Sequence, residues 1–264
     1  MLIIGEKLNS SIPSAQKAFL NLDADWIKGM ALKQAECGAD YLDLNAGVFT
    51  DEAEKLLWAV EQIRSVCDTP LVLDSTNPAA IAAVLERHEF EKLIINSITL
   101  EPSRFEGMLP LVQKAGAGVI ALPMDEKGIP KDTETRVENA RRLAAKLEEN
   151  GIEQERVYID LIVETLSVDS GAAVHALEAA RQIHTEFPKV HLVGGMSNVS
   201  FGLPKRKYVN AAFLAAAVGV GLDTAIMDIT NTDAKMALLA ARLVCGQDEF
   251  CMEYLTGYRE TLKD

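Results

Sequence analysis

Short apolar runs alternate along the whole chain with longer stretches whose apolar residues recur at helical spacing. The runs are Leu2–Gly5, Tyr41–Asn45, Leu71–Asp74, Leu93–Asn96, Gly118–Leu122, Tyr158–Asp160, His191–Gly194 and Thr224–Asp228. Their near-continuous apolar character predicts parallel strands buried on both faces. The stretches between them read as helices. Asn77-Pro78 offers an N-cap followed by proline at the first helical position, ahead of Ile81, Val84 and Leu85. Asp51-x-x-Glu54 has the form of a capping box before Leu56, Leu57, Val60 and Ile63. Thr133 to Asn150 carries Val137, Ala140, Leu143, Ala144 and Leu147 on one face, with Gly151 as its stop. Gly38 and Gly116 end the first and fourth helices in the same way, and Gly171–Phe187, Tyr208–Val218 and Asp233–Val244 supply three more. Asp248–Thr261 reads as a terminal helix. Eight strands, each followed by a helix, predict an α/β chain folded as a (β/α)8 TIM barrel, a single domain over residues 1–264. A doubly wound open sheet would carry a Gly-rich phosphate turn after an early strand, and Gly5-Glu6-Lys7 is not one.

The predicted strands share a polar ending. Ile3-Ile4-Gly5 leads to Glu6, Leu71-Val72-Leu73 to Asp74, Leu93-Ile94-Ile95 to Asn96, Tyr158-Ile159 to Asp160 and Ile226-Met227 to Asp228. Asp43 and Asn45 fall on one side of the second strand, and the seventh runs into Ser197-Asn198. A helix N-cap accounts for any one such residue. Seven of them meeting at the C-terminal mouth of a barrel read as a binding site with many hydrogen bonds. The ring mixes Asp with Asn and has few cations, whereas a phosphate or carboxylate ligand calls for Arg or Lys. It suits a flat ligand rich in N–H donors, and a pterin and a guanine-type heterocycle both meet that description.

Charge narrows the partners. Lys and Arg total 26 against 39 Asp and Glu, a formal charge of −13, which argues against nucleic acid or anionic lipid. No apolar stretch is long enough to span a bilayer and no signal peptide is read, so a cytoplasmic protein with no membrane association is expected. Cys37, Cys67, Cys245 and Cys251 form no C-x-x-C pair, and His88, His175, His184 and His191 are not at ligand spacing. Reduced thiols and no bound metal are the expectation.

Several segments carry a family resemblance. Ile3-Ile4-Gly5-Glu6-Lys7-Leu8-Asn9, Asp43-Leu44-Asn45, Leu73-Asp74-Ser75-Thr76-Asn77, Ile95-Asn96-Ser97, Tyr158-Ile159-Asp160 and Gly195-Met196-Ser197-Asn198-Val199-Ser200-Phe201-Gly202-Leu203-Pro204 resemble, in order, the methyltetrahydrofolate:corrinoid-protein methyltransferases. That family is related in fold to dihydropteroate synthase and to the folate domain of cobalamin-dependent methionine synthase. The resemblance implies a methyltransferase acting between N5 of tetrahydrofolate and the cobalt of a corrinoid. Folate, as tetrahydrofolate or 5-methyltetrahydrofolate, is then a substrate, and the cobalamin-type corrinoid belongs to a partner corrinoid protein. It implies that Asp74, Asn96 and Asp160 hold the pterin ring and that Asn198 hydrogen-bonds N5. Asp43, Ser197, Arg206, Glu6 and Asn9 line the site on the same grounds, and a homodimer is expected.

The chemistry agrees with those roles. N5 is a poor leaving group until a proton or strong hydrogen bond makes it neutral on departure. An Asn follows that change, offering its carbonyl to N5–H or its NH2 to the free amine. No histidine matches a motif position, so the sequence nominates no general acid. The nucleophile, Co(I), arrives on another protein. Other readings stand beside these. Asn198 is also placed to cap the following helix, as is Asp74, although Asn77 suits that task better. Arg206 reaches either the folate tail or only its own loop, Phe201, Leu203 and Pro204 either pack the loop or dock the corrinoid protein, and Asp228 is without a role. Dihydropteroate synthase is a rival activity, but its family carries a Ser-Arg-Lys-type motif where this chain has Ser197-Asn198-Val199. A non-catalytic folate-binding or corrinoid-protein-binding barrel is the rival from another class. The resemblance covers demethylation systems and the acetyl-CoA pathway alike, and Phe201-Gly202-Leu203-Pro204 tips the reading toward the first.

Overall fold

Side chains leave a strand alternately to two sides, and here each side finds its own core. The computed structural model describes residues 1–262. Eight parallel strands close into a barrel in chain order: β1 (Leu2–Asn9), β2 (Tyr41–Asn45), β3 (Leu71–Asp74), β4 (Leu93–Ile98), β5 (Gly118–Ala121), β6 (Val157–Asp160), β7 (His191–Gly195) and β8 (Thr224–Met227). Pairing of β1 with β8, Leu2 opposite Thr224, shuts the ring. Inside it, Ile4, Val72, Ile94, Ile120, Tyr158 and Val193 pack together, with Tyr41 and Ile226 against them. The opposite set, such as Leu42, Leu44, Leu73, Ile95, Val119 and Ile159, joins the helices in the larger outer core.

The helices are α1 (Pro13–Asn21), α2 (Ala24–Glu36), α3 (Glu52–Arg64), α4 (Pro78–Arg87), α5 (Pro102–Ala115), α6 (Thr133–Glu149), α7 (Ala172–Glu186), α8 (Arg206–Gly219), α9 (Thr232–Val244) and α10 (Met252–Thr261). Asn77 caps α4 as expected, its side chain accepting from the Ala79 N–H at 3.1 Å. The expected stops at Gly38, Gly116 and Gly151 all have positive φ. The capping box at Asp51 does not form. Asp51 makes no side-chain bond to the helix start, because its ψ of 37° is not the extended conformation that turns a cap carboxyl back on the helix. It pairs with Lys55 at 3.5 Å instead. Helix α1 is an additional element that the periodicity did not separate from α2. No helix among the described residues is long and apolar enough to cross a membrane.

Strand β1 runs past its expected end at Gly5, and this matters for the mouth. Its register against β2 shifts between Gly5 and Leu8. The backbone N–H of Lys7, released from the ladder there, donates to Oε1 of the buried Gln34 on α2 at 2.9 Å. The irregularity carries Glu6 and Asn9 to the mouth within one strand. A Cβ at position 5 would stand 2.5 Å from that same Oε1. Gly5→Ala is therefore expected to displace Gln34 and cost about 1–3 kcal/mol. Urea unfolding should show a lower midpoint with an unchanged slope, and an unshifted midpoint would refute the tight contact.

Candidate functional site

The mouth layer follows from the same alternation. Two residues beyond each interior apolar side chain comes a mouth residue: Ile4 precedes Glu6, Tyr41 precedes Asp43, Val72 precedes Asp74, and Ile94 precedes Asn96. Likewise Tyr158 precedes Asp160 and Ile226 precedes Asp228, while Leu122 and Gly195 interrupt the polar ring. These ends, Asp228 excepted, line a cavity of about 520 Å3, within the roughly 300–1,000 Å3 of small-molecule sites. All nine residues singled out from the sequence line it: Glu6, Asn9, Asp43, Asp74, Asn96, Asp160, Ser197, Asn198 and Arg206.

On the β1–β4 side the site is a net of carboxylates held by amides. Asn9 Nδ2 donates to Asp43 at 3.0 Å and to Asp74 at 3.4 Å, and Asn45 Nδ2 donates to the same Asp74 oxygen at 3.0 Å. Asn45 is itself fixed by the Ser10 hydroxyl at 2.9 Å and the Gly47 N–H at 2.9 Å. Asp74 stands opposite Asn96 across the β3–β4 ladder. Burial pushes the Asp74 carboxyl up to about 6, against the pull of Asn45. Burial raises Asp43 well above the usual carboxylate range, with Asp74 adding repulsion. The other Asp43 oxygen, Oδ1, is buried with no protein partner among the described residues, an acceptor open to a ligand N–H or a water.

Asp160 is set by the turn that follows β6. Its Oδ1 accepts from the Ile162 N–H at 2.6 Å, and burial raises its carboxyl to about 6. Ile162 has a φ of +42°, strained for a β-branched residue. The buried Arg136 on α6 holds that turn from behind, one guanidinium nitrogen donating to both the Leu161 and Ile162 carbonyls at 2.9 Å.

The far wall is the loop after β7. A single 3-10 turn, Asn198–Ser200, presents Asn198 outward while Val199 and Ser200 are buried. Asn198 therefore does not cap α8. A Cβ at position 195 would meet Asn198 Nδ2 at 2.8 Å, so glycine there lets this side chain lean over the strand end. Arg206 braces the loop: its guanidinium donates to the Ser197 carbonyl at 2.7 Å and the Ser200 hydroxyl at 2.9 Å, and lies 4.3 Å from the Phe201 ring centroid. Thr165 and Ser167, from the β6 loop, both donate to the Phe201 carbonyl, at 2.6 and 2.8 Å. The Ser197 hydroxyl donates to Glu6 at 3.3 Å, tying the loop back to β1.

A sequence model described as pterin binding enzyme matches residues 6–228, the span from Glu6 to Asp228. The chain belongs to this pterin binding enzyme family. A methylcorrinoid:tetrahydrofolate methyltransferase of Eubacterium limosum is 34% identical, covering 98% of this chain and 97% of its own. The methionine synthase of Mycobacterium tuberculosis is 31% identical over 86% of this chain, which spans only 20% of that longer protein. In fold, the chain resembles the solved 7,8-dihydropteroate synthase of Vibrio fischeri ES114, with a TM-score of 0.70, 17% identity and 93% of each chain covered.

Some residues of this mouth escaped the sequence reading. Lys7 lines the cavity and pairs with Asp228 at 3.2 Å. Asp228, left without a role above, also takes the Thr230 N–H at 3.1 Å and its hydroxyl at 2.6 Å, so it organises the loop after β8. Asn45 was visible as the period-2 partner of Asp43, whereas nothing local marks Arg136. The buried carboxylates are expected to cost stability. As pH rises past the ordinary carboxylate range the unfolded chain ionises while Asp43 resists, so stability falls until its folded pKa is passed. Asp43→Asn, which keeps an oxygen for Asn9, is expected to stabilise the ligand-free protein by roughly 1–3 kcal/mol at pH 8 and by much less at pH 4. Thermal unfolding at both pH values checks this, and an equal gain at the two would refute it.

Proposed function

We propose that this pterin-binding enzyme is a methyltransferase that moves a methyl group between N5 of tetrahydrofolate and the cobalt of a corrinoid held by a separate corrinoid protein. The observation that carries it is the end-to-end similarity to a methylcorrinoid:tetrahydrofolate methyltransferase, 34% identical over 98% of the chain. That relative's name puts methylcorrinoid on the donor side, and the same direction is taken here. The donor-poor, acceptor-rich cavity supports the ligand class.

In this reading Asp74, Asn96 and Asp160 accept hydrogen bonds from the amino-pyrimidinone edge of the pterin. Asp43, Asn9, Glu6, Ser197 and Arg206 complete the lining. Asn198, on the loop above Gly195, faces N5. Its amide accepts from N5–H through oxygen or donates to the free amine through nitrogen, so it stabilises the nitrogen as its charge changes. The corrinoid's cobalt is a substrate on the partner, and the open mouth is where it would approach. The exposed apolar residues Val244, Phe250, Met252, Leu255, Tyr258 and Leu262, near and on α10, suit a homodimer contact. Work in the cytoplasm fits the acidic surface and the reduced corrinoid.

Asn198→Ala is expected to slow single-turnover methyl transfer by about 10²–10³-fold while folate affinity changes little. Equal losses in both would count against a transition-state role. A second outcome concerns pH. Burial holds the Asp74 and Asp160 carboxyls up at about 6, and pterin N–H donors favour their ionised forms. Binding below that pH must expel protons, so 5-methyltetrahydrofolate should bind at least about tenfold more weakly at pH 5 than at pH 7.5. Calorimetry in two buffers at pH 6 should detect proton release, and proton uptake would contradict the assignment.

A further inference from the structure

Beside the folate cavity lies a second one, with a volume of about 300 Å3, between α8 and α9. Met196, Leu214 and Met227 form apolar walls, and Asn210 and Asn231 add amides. Lys207 and Asp233, both exposed and paired at 2.9 Å, also line it and so put it in contact with solvent. Oδ1 of Asn210 is buried with no protein partner among the described residues, an acceptor that water in this space would satisfy. Glu6, Ser197 and Arg206 line both cavities and therefore stand between them.

The reaction needs a proton at N5, and the mouth offers few groups to hold it. Asp74 and Asp160 serve the pterin edge in the reading above, which this inference rests on. Asp43 is on β2, three strands round the barrel from β7, and its hydrogen bond comes from Asn9 on β1 rather than from the β7 loop. Asp228 is near that loop but is taken by Lys7 and the Thr230 hydroxyl. Glu6 differs. It accepts one hydrogen bond among the described residues, from the hydroxyl of Ser197, the neighbour of Asn198. Burial pushes the Glu6 carboxyl upward, the Ser197 bond pulls it down, Asp228 just after β8 pushes it up, and Lys7 and Arg206 pull it down, with a net rise. Asp43 and Glu6 also repel each other.

We propose that Glu6 holds the proton exchanged with N5, with the Ser197 hydroxyl as relay and the second cavity as its water-filled route to solvent. Toward tetrahydrofolate, N5 forms a bond to the methyl carbon and the carbon–cobalt bond breaks. The electron pair of that bond stays on cobalt, which goes from Co(III) to Co(I). The N5–H proton passes through the Ser197 hydroxyl to the Glu6 carboxylate and then to water. In reverse, Glu6 in its acid form gives the proton to N5 as the methyl group leaves for Co(I), and is reprotonated through the second cavity. Transfer to cobalt is therefore fast at low pH and slows as pH rises through the raised pKa of Glu6. Transfer to tetrahydrofolate has the opposite dependence.

The test is single-turnover methyl transfer from 5-methyltetrahydrofolate to free cob(I)alamin, followed from low to high pH by loss of cob(I)alamin absorbance. An inert wild-type chain would overturn the methyltransferase reading itself, before any question about Glu6. With an active wild type, Glu6→Gln is expected to slow transfer by about 10²-fold or more and to remove the descending limb. Its affinity for 5-methyltetrahydrofolate should stay within about threefold. Glu6→Asp should recover part of the rate with the limb displaced, and Ser197→Ala should slow transfer by about tenfold. Ala237→Met, which narrows the second cavity, should enlarge the solvent deuterium isotope effect and leave folate affinity unchanged. A wild-type rate and pH profile in Glu6→Gln would overturn the proposal. So would equal losses of rate and affinity with the limb in place, which is the signature of a structural role.

Discussion

Closing a sheet into a barrel of eight strands leaves one small interior and one mouth, and strand alternation decides what fills each. Ile4, Val72, Ile94, Ile120, Tyr158 and Val193 occupy the interior and make it solid. The next inward positions have no room below and point into the mouth. Each strand can thus contribute one side chain to a shared site without any long-range design of its loop. The bulge at Gly5–Leu8 adds a second contribution from β1, because it brings Asn9 to the mouth alongside Glu6.

That placement is electrostatically uphill. Glu6, Asp43, Asp74 and Asp160 all have carboxyls raised by burial. Cations relieve this only in part, Lys7 and Arg206 at Glu6, Arg104 at Asp74 and Arg136 at Asp160. The chain also uses the neutral amides of Asn9 and Asn45, which orient the carboxylates but leave them hungry for donors. A ligand edge rich in N–H groups supplies what is missing. Stability and binding are therefore opposed at these positions, as is common where a site is preorganised.

The positive charges near the site serve the scaffold. Arg136 holds the turn that aims Asp160, Arg206 braces the loop that carries Asn198, and Lys7 neutralises Asp228. All three stabilise backbone or a neighbouring carboxylate, so the cavity keeps its acceptor character. The Thr165 and Ser167 bonds to the Phe201 carbonyl couple the β6 and β7 loops, so the Asp160 and Asn198 walls are mechanically linked.

Much of this was legible in the one-dimensional pattern because it is local. Apolar runs and their polar ends depend on a period of two and on nearest neighbours, so the barrel, its mouth ring and Asn77 as a helix cap could be read directly. The Asp51 capping box failed because a cap depends on one backbone ψ, which composition does not report. Other features depend on residues far apart in the chain. The Lys7–Asp228 pair spans the seam where β1 meets β8, and Ser197 reaches Glu6 across the same seam. Arg136 meets the Asp160 turn only because α6 packs behind β6. The amino-acid order by itself determined the fold class and the polar strand ends that ring the mouth, since strand geometry dictates both; Asn9 and Arg206 came from the family resemblance. Only the tertiary structure decided which carboxyls are engaged, which acceptors stay open and which side chains divide the two cavities, because these depend on through-space distances that closure of the barrel creates.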